Sequence, residues 1–421
     1  MKKLVLLLII FSASFNLIAQ TPYTEYWKNG EVSTKGFKTD KDTRTGEWIW
    51  YYPNSKIQIK GSYDENGRKI GQWHHYFENG QLFKVETYSE QGENQEYYSN
   101  GQLHYKVEII DSKKQGKYKE FHKDGKLKFE GEYNSDLLEG DVIWWYESGK
   151  KEMEGNLVKG KRNGLWKYYY RENGKLGSKG EFKNDLEEGE WEYFYSTSEL
   201  WRKGKYSNGK RQGLWTTYYE DGKVLQKGNY EDGLEQGEWE SYYPDGSIKD
   251  KGSFTKGKMS SEWISYYPNG IIKTRVNYSN GLKHGQETLF DETGKKYIIA
   301  NYKNGKLDGE YNKFTPYGVL IEKSNYKFGE RDGKSIFYYL QGALLREQSF
   351  KNGKPDGKWA EYTENGNLLG KGQFKLGKQE GTWTNYDGNG NKISITKYKS
   401  GKKISQEIIK EKKKDNSKKN F

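Results

Sequence analysis

The side chains in this sequence whose spacing suggests chemistry are aromatic rings and lysines that recur every 24 residues. The central members of the two series are Tyr218, Tyr242 and Tyr266, and Lys203, Lys227 and Lys251. Aromatic rings stack on sugars or anchor protein partners, and lysines favour anionic groups. Because both series keep one spacing, a repeating structure would present them side by side, and we predict that they bind a partner.

Residues that would support catalysis or metal binding form no recognisable pattern. The five histidines are scattered, and the adjacent His74 and His75 would point to opposite faces of a strand. The absence of cysteine excludes disulfides, thiolate metal sites and a cysteine nucleophile. No Gly-x-Ser-x-Gly elbow, phosphate-binding loop, His-Glu-x-x-His helix or calcium loop occurs. We therefore predict a protein that is not an enzyme, with no catalytic residue, no cofactor and no metal site.

The elements that must position the rings and lysines are copies of one sequence unit. One copy opens at Gly213, which we count as position zero, and places Trp215 at position two and Tyr218 at position five. Most units are 24 residues long, and the others are 21 or 25. Sixteen units open at Thr21, Gly46, Gly71, Gly92, Gly116, Gly140, Gly164, Gly189, Gly213, Gly237, Ser261, Gly285, Gly309, Gly333, Gly357 and Gly381. They fill residues 20–405 and leave no room for a catalytic domain.

Each unit has the pattern of a β-hairpin. Two runs rich in β-forming residues, such as Glu238–Tyr243 and Lys223–Tyr230, are bounded by Asn-Gly or Asp-Gly pairs. Such pairs, of which Asp245-Gly246 lies within a unit and Asp232-Gly233 between units, favour two-residue type I′ turns between antiparallel strands. The sequence therefore predicts an all-β fold, an elongated, single-layer, twisted antiparallel meander of about sixteen 24-residue β-hairpin repeats.

The expected register assigns the side chains to two faces. A two-residue turn would place position two opposite position fifteen, as in Trp239 and Gly252, and position six opposite position eleven. The face with the tryptophans, the position-six tyrosines and the position-eleven aliphatics is the predicted core. Position five is aromatic in all sixteen units and would lie on the other face. That ladder is either a second buried layer or an exposed stripe beside the lysines of position fourteen.

Three consecutive units depart together from this pattern. The units that open at Gly285, Gly309 and Gly333 lack tryptophan at position two and glycine at position fifteen. They carry Glu287, Tyr311 and Ser335 at position two, and Ala300, Ser324 and Gln348 at position fifteen. The sequence predicts that the sheet bends at these units or that a partner docks there.

The repeat resembles a known family. The stretch Gly228-x-Tyr230-x-x-Gly233-x-x-x-Gly237-x-Trp239 resembles the core of the MORN repeat, and the pattern after Gly237 resembles the bacterial variant, often described as antitoxin-like. The resemblance implies a twisted single-layer sheet that serves as a scaffold and as a protein or lipid contact surface. Tryptophan stands where the MORN motif ends in glycine. The repeat also resembles choline- and glucan-binding cell-wall repeats, whose shorter period of about twenty residues fits less well.

The two ends of the chain differ from the repeats. Residues 1–19 combine Lys2 and Lys3 with the apolar run Leu4–Phe11, as in a secretory signal peptide. The sequence therefore predicts an exported protein, periplasmic, cell-surface or secreted, with no transmembrane segment beyond the signal peptide. Residues 406–421 are predicted to be a lysine-rich disordered tail. Because much of the net charge of +12 lies at the two ends, the repeats show no nucleic-acid footprint.

Two functions remain open at the level of sequence. The first is a non-enzymatic scaffold or adaptor of the bacterial envelope that binds a protein partner along the aromatic and lysine stripe. The alternative is a carbohydrate-binding module for peptidoglycan or another anionic glycan of the cell wall. The sequence identifies neither ligand.

Overall fold

A computed structural model describes residues 20–409 of the chain. The predicted signal peptide and residues 410–421 of the predicted tail lie outside these residues. The chain divides into two compact units, one ending at Ser198 and the other beginning at Glu199. Residues 20–409 form strands and turns without a helix, which confirms the predicted all-β class.

The first unit contains the strands β1 (Gln20–Tyr26), β2 (Val32–Thr39), β3 (Arg44–Tyr51), β4 (Ile57–Tyr63), β5 (Lys69–Tyr76), β6 (Leu82–Tyr88), β7 (Gln91–Tyr97), β8 (Leu103–Ile110), β9 (Lys113–Phe121), β10 (Leu127–Asn134), β11 (Leu137–Trp145), β12 (Lys151–Val158), β13 (Lys161–Tyr169), β14 (Leu176–Lys183) and β15 (Leu186–Phe194). The second unit contains β16 (Leu200–Ser207), β17 (Lys210–Tyr218), β18 (Val224–Glu231), β19 (Leu234–Tyr242), β20 (Ile248–Thr255), β21 (Lys258–Tyr266), β22 (Ile272–Ser279), β23 (Leu282–Phe290), β24 (Lys296–Lys303), β25 (Lys306–Phe314), β26 (Leu320–Lys327), β27 (Glu330–Arg331), β28 (Gly333–Tyr338), β29 (Leu344–Lys351), β30 (Lys354–Tyr362), β31 (Leu368–Lys375), β32 (Lys378–Tyr386), β33 (Lys392–Lys399) and β34 (Lys402–Ile408).

Both units are antiparallel meanders, as predicted. Successive strands pair with one another, for example β17 with β18 and β18 with β19. The short segments β27 and β28 are both paired with β26, with Asp332 between them. Strand β34 continues to Ile408, so residues 406–408, which we assigned to the tail, belong to the last strand.

The two turns of the 24-residue repeats are of different types. Between repeats, Asp232 and Gly233 have φ values of 49° and 83°, and Glu231 pairs directly with Leu234, which is the predicted type I′ turn. Within the hairpin, only Gly246 has a positive φ, of 91°, and its N–H donates to Tyr243 O at 2.9 Å. This second turn is a type I turn with a glycine bulge. The prediction of type I′ geometry was therefore wrong for Asp245-Gly246.

The turn within the hairpin also changes the register. Trp239 pairs with Gly252 as predicted, and Ser241 with Asp250, but Tyr242 pairs with Ile248 because Lys249 bulges out between them. Position five, rather than position six, therefore lies opposite the aliphatic of position eleven. The prediction that placed these aliphatics on the tryptophan face was wrong, because they pair with the position-five residues.

A second irregularity explains the glycine that opens most repeats. Gly237 has a φ of 71° and lies at a bulge, since Gly228 pairs with Trp239 whereas Asn229 pairs with Gln236. A residue with a side chain is strained in this left-handed conformation. The opening glycines therefore recur every 24 residues because the bulges recur at that spacing.

The core is a row of indoles lying on glycines. Trp239 pairs with glycines on both sides, but its ring lies across Gly228 of the preceding hairpin, and its Nε1 donates to Asn229 O at 3.2 Å. A Cβ atom on such a glycine would lie 2.1 to 2.4 Å from the indole. The same arrangement joins Gly36 with Trp48, Gly61 with Trp73, Gly155 with Trp166, Gly180 with Trp191, Gly204 with Trp215, Gly252 with Trp263 and Gly372 with Trp383.

Candidate partner-binding face

The predicted binding residues of the second unit lie along one row of paired residues. Lys203 pairs with Thr216, Thr216 with Lys227, Lys227 with Glu240, and Glu240 with Lys251. Because paired residues point to the same face of a sheet, the three lysines share the face opposite the tryptophans. The register thus brings Lys203, Lys227 and Lys251 together as predicted.

The three predicted tyrosines lie on the same face, two residues along their strands from this row. Tyr218 follows Thr216 on β17, Tyr242 follows Glu240 on β19, and Tyr266 follows Ile264 on β21. All three rings are half-buried, so position five is neither a second core nor a freely exposed stripe.

A lysine of the preceding hairpin covers each of two rings. Lys227 Nζ lies 5.6 Å from the centre of the Tyr242 ring, and Lys251 Nζ lies 5.8 Å from that of Tyr266. These distances allow a cation–π interaction. Lys227 also forms an ion pair with Glu240 at 3.0 Å, and Tyr242 Oη donates to the same carboxylate.

The contacts among Lys227, Glu240 and Tyr242 shift the pKa values of all three groups. The hydrogen bond from Tyr242, and then that from Lys227, lowers the pKa of Glu240, whereas burial and the bond to Glu240 raise the pKa of Tyr242. The bonds to Tyr242 and Glu240 raise the pKa of Lys227. Glu240 is therefore ionised and Lys227 charged at neutral pH, with much of their charge mutually compensated.

The first unit has the same kind of cluster with the charges rearranged. Lys167 pairs directly with Lys179, but these lysines reach Glu154 at 3.4 Å and Glu192 at 2.8 Å, respectively. Tyr169, at position five, donates to Glu154 at 2.6 Å. Burial alone would raise the pKa of Glu154, but hydrogen bonds from Lys151 and Tyr169 lower it to about 2. A carboxylate therefore links rings and lysines in both units.

Sequence reasoning missed the role of position six. Tyr219 Oη donates to Tyr242 O, and Tyr243 Oη donates to Tyr266 O, each at 2.7 Å. These tyrosines thus bind the backbone of the next repeat at position five, and they were wrongly assigned to the tryptophan core. The signal was present in the sequence, because position six is an N–H or O–H donor in many repeats, including Trp27, Tyr52, Tyr98, His122, Tyr146 and Tyr170.

The same face also has cavities between hairpins. One has a volume of about 730 Å³ and is lined by Lys334, Glu347, Lys358, Lys371, Thr382 and Thr384. Similar cavities of about 380 and 300 Å³ lie beside Glu154 and beside Lys35 in the first unit. Within residues 20–409, no group of three or more acidic or histidine side chains is arranged to hold a metal ion. The same residues include no helix long and apolar enough to span a membrane.

Solved structures similar to this chain share 11–12% of its sequence. A crystal structure of TcdB2-TccC3-Cdc42 is 11% identical over 90% of this chain and 25% of that chain, with a TM-score of 0.16. TcdB2-TccC3 without its hypervariable C-terminal region is 12% identical over 89% and 22%, with a TM-score of 0.15. A Photorhabdus luminescens Tc holotoxin pore is 11% identical over 89% and 23%, also at 0.15. The chain spans about a quarter of these proteins, and no curated protein matches its sequence.

The repeat itself matches a known family, described as "MORN repeat variant". The matches cover residues 44–65, 90–111, 114–135, 138–159, 211–232, 235–256, 261–280, 283–304, 331–352, 355–376 and 379–400. Together they account for more than half of the sequence and follow the bulges and turns described above. The chain therefore belongs to the MORN repeat variant family.

Proposed function

We propose that this chain is a non-enzymatic scaffold of the bacterial envelope that binds a protein partner along the position-five face. MORN repeats are generally non-enzymatic modules. The observation that carries the proposal is the continuous row from Lys203 to Lys251, with Tyr218, Tyr242 and Tyr266 beside it. A flat array of charged groups and half-buried rings suits an extended protein surface.

The position of the lysines favours a protein over a glycan. Sugar stacking needs an open ring face, whereas Lys227 and Lys251 lie over the rings of Tyr242 and Tyr266. A protein partner can instead contact the ring edges and exchange the Lys227–Glu240 ion pair for pairs of its own. Binding to peptidoglycan or another anionic glycan is the alternative that the experiment must separate.

Export is part of the proposal and rests on the leader-like sequence of residues 1–19. We expect the mature protein to begin at Gln20 and to occur in the periplasm, at the cell surface or in the medium. N-terminal sequencing of the protein from fractionated cells tests this part. A cytosolic protein that retains Met1–Ala19 would contradict it without affecting the binding face.

A pull-down with the purified protein tests the binding face. Envelope extract and purified sacculi are offered to the wild type and to a variant in which Tyr218, Tyr242 and Tyr266 are replaced by alanine. We expect a specific protein from the extract to be retained by the wild type and lost with the variant. Retention of sacculi that soluble glycan abolishes would favour the carbohydrate-binding alternative.

Two further variants distinguish lost binding from lost folding. Lys203→Glu with Lys251→Glu keeps all three rings and reverses two charges of the row, and it should also abolish capture. Leu234→Ala with Leu282→Ala changes two exposed residues next to the type I′ turns and should leave capture unchanged. Far-UV circular dichroism and melting must be close to wild type in every variant. Capture that survives both face variants would contradict the proposal.

A further inference from the structure

The type I′ turns of the second unit form an edge with an unusual charge distribution. Four of these turns have a lysine immediately before and immediately after them. In each of the four, the two lysines are directly paired residues of adjacent strands. These pairs are Lys303 with Lys306, Lys351 with Lys354, Lys375 with Lys378, and Lys399 with Lys402. We call this series, with the turn at Phe328 between its first two members, the lysine edge.

The paired lysines of the lysine edge are not held in ion pairs by the described part of the chain. All eight paired lysines are exposed, and none forms an ion pair within residues 20–409. The nearby acidic residues serve the turns, since Asp356 accepts from the N–H of Leu376 at 2.9 Å and Glu380 from that of Ser400 at 2.6 Å. Like charges that face each other across two strands are destabilising. The four pairs therefore have no explanation in the stability of the fold.

Two apolar residues at the tips of these turns are poorly suited to their positions. Phe328 and Leu376 take the first turn position with φ values of 52° and 49°, and each exposes 69% of its surface. Other turns of the same edge have Asn304 and Asn352 there, which tolerate this conformation far better. A strained and exposed apolar residue is unfavourable for the isolated protein, so both positions combine two costs that asparagine would avoid.

We propose that the lysine edge binds an extended acidic polypeptide segment that also carries apolar side chains. Adjacent type I′ turns are two strands apart, about 10 Å, so the edge from Lys303 to Lys402 is about 40 Å long. An extended segment of about twelve residues has that length. Its carboxylates pair with the lysines, and its apolar side chains cover Phe328 and Leu376. This surface is distinct from the position-five residues of the proposed function.

The observations favour this occupant over others. The chain's own residues 410–421 carry six lysines and two acidic residues, so their charge is of the wrong sign. A sulfated or carboxylated polysaccharide complements the lysines but offers nothing to Phe328 and Leu376. A polypeptide carries both carboxylates and apolar side chains on one backbone. These can alternate along it to reach the lysines and the apolar turn residues in turn.

Fluorescence anisotropy with two labelled peptides tests the proposal on the full-length protein. One probe is a glutamate peptide with leucine or phenylalanine at every fourth position, and the other has serine at those positions. We expect both to bind at low salt, the apolar probe more tightly. Replacing Lys351, Lys354, Lys375 and Lys378 with glutamine should weaken both by about tenfold or more. The control with glutamine at Lys210, Lys249, Lys258 and Lys273 removes equal charge elsewhere and should change binding less than about twofold.

The apolar part has its own test. Phe328→Asn with Leu376→Asn should weaken the apolar probe by about fivefold and leave the serine probe unchanged. Because asparagine accepts the positive φ, the same variant should melt at or above the wild-type temperature. A loss of binding with a gain in stability cannot result from unfolding.

Several outcomes would overturn the proposal. Equal loss in the two lysine variants would show that only net charge matters, and unchanged binding of the apolar probe to the asparagine variant would remove the apolar contact. Binding to phosphatidylcholine–phosphatidylserine vesicles without binding of either peptide would identify a membrane as the occupant. The triple alanine variant of Tyr218, Tyr242 and Tyr266 must keep peptide binding, so the two surfaces can fail separately.

Discussion

Two neighbouring regions of the second unit have the same strand pairing but different residues in their core. Residues 213–279, the tryptophan region, carry Trp215, Trp239 and Trp263 on the core face. Residues 285–350, the polar region, continue the same antiparallel pairing from β23 to β29 with one interruption at Asp332. These repeats therefore differ in their core residues, and the strand pairing continues through them.

In the tryptophan region, aromatic rings connect one repeat to the next. Tyr230 contacts Trp239 at 5.3 Å, Trp239 contacts Phe254 at 5.6 Å, and Phe254 contacts Trp263 at 5.2 Å, all edge to face. Each indole N–H donates to a backbone carbonyl, as Trp263 does to Ser253 O at 3.0 Å. Apolar burial and satisfied polar groups thus coincide.

The polar region fills the same space with charged and small residues. Glu287 stands at the tryptophan position with only 5% of its surface exposed and pairs with Lys283. Arg331 pairs with Glu322 at 2.5 Å, and the fully buried Ser335 Oγ has no hydrogen-bond partner. Because turns and bulges set the register locally, the repeat tolerates such interiors. We expect the polar region to be the less stable of the two.

The largest difference should appear at position two. Trp215 is 3% exposed and lies on Gly204, so Trp215→Ala should lower the free energy of unfolding by roughly 3–5 kcal/mol. Ser335→Ala, at the equivalent position of the polar region, should be neutral or stabilise by up to about 1 kcal/mol, because an unpaired buried hydroxyl is removed. Urea denaturation and amide hydrogen exchange measure both. Similar losses in the two variants would contradict the comparison.

Position fifteen should show a smaller difference of the same kind. Gly228→Ala would place a Cβ atom 2.1 Å from the Trp239 ring, and the necessary shift should cost roughly 2–3 kcal/mol. The polar region already has Ala300 at this position, 1% exposed, and Ala300→Gly should cost about 1 kcal/mol. We therefore expect the methyl group of alanine at position fifteen to destabilise the tryptophan region and to stabilise the polar region. A stabilising Gly228→Ala would show that the indole does not need the bare glycine.

The boundary between the regions permits a double-mutant test. Val276 pairs with Glu287 where a glycine and a tryptophan would otherwise meet. Glu287→Trp alone should destabilise the protein because the indole meets the valine side chain. Val276→Gly should offset part of that loss, with a coupling free energy of about 1–2 kcal/mol in a double-mutant cycle. Additive effects would mean that the glycine and the tryptophan are not an energetic unit.

The sequence allowed the repeat, the strands and the shared face of the six site residues to be predicted, because each depends on local turn chemistry. The type I′ turn at Asp232-Gly233 and the pair of Trp239 with Gly252 were both predicted correctly. The bulge at Lys249 was not predicted, since Asp-Gly pairs fit either turn type. One extra residue then moved Ile248 to the position-five face.

Contacts between successive repeats were harder to predict. The indole of Trp239 lies across Gly228 rather than Gly252, and the position-six phenols bind the following repeat. Both depend on how one hairpin lies against the next, and a pattern within a single repeat does not contain that information. Both relationships recur between residues 11 and 23 positions apart.

The smallest predicted effect concerns the charge cluster on the position-five face. The bonds from Tyr242 and then Lys227 lower the pKa of Glu240, so the stabilisation is present above the ordinary pKa of this carboxyl and is lost as the pH falls through the lower folded value. Carboxyl NMR should therefore show Glu240 titrating below the ordinary glutamate range. Tyr242→Phe should raise this pKa more than Lys227→Met does, in keeping with the order of the two causes.

Glu310 of the polar region is the internal control for this titration. Its pKa is lowered by a hydrogen bond from Asn312 and then by Lys323, which lies 3.2 Å away. Tyr242→Phe and Lys227→Met must leave it unchanged, because neither residue belongs to that cluster. If Glu240 keeps its low pKa in both variants, the ring, lysine and carboxylate are not coupled. The ion pair could then not be exchanged for one with a partner, and the proposed binding mode of this face would lose its electrostatic basis.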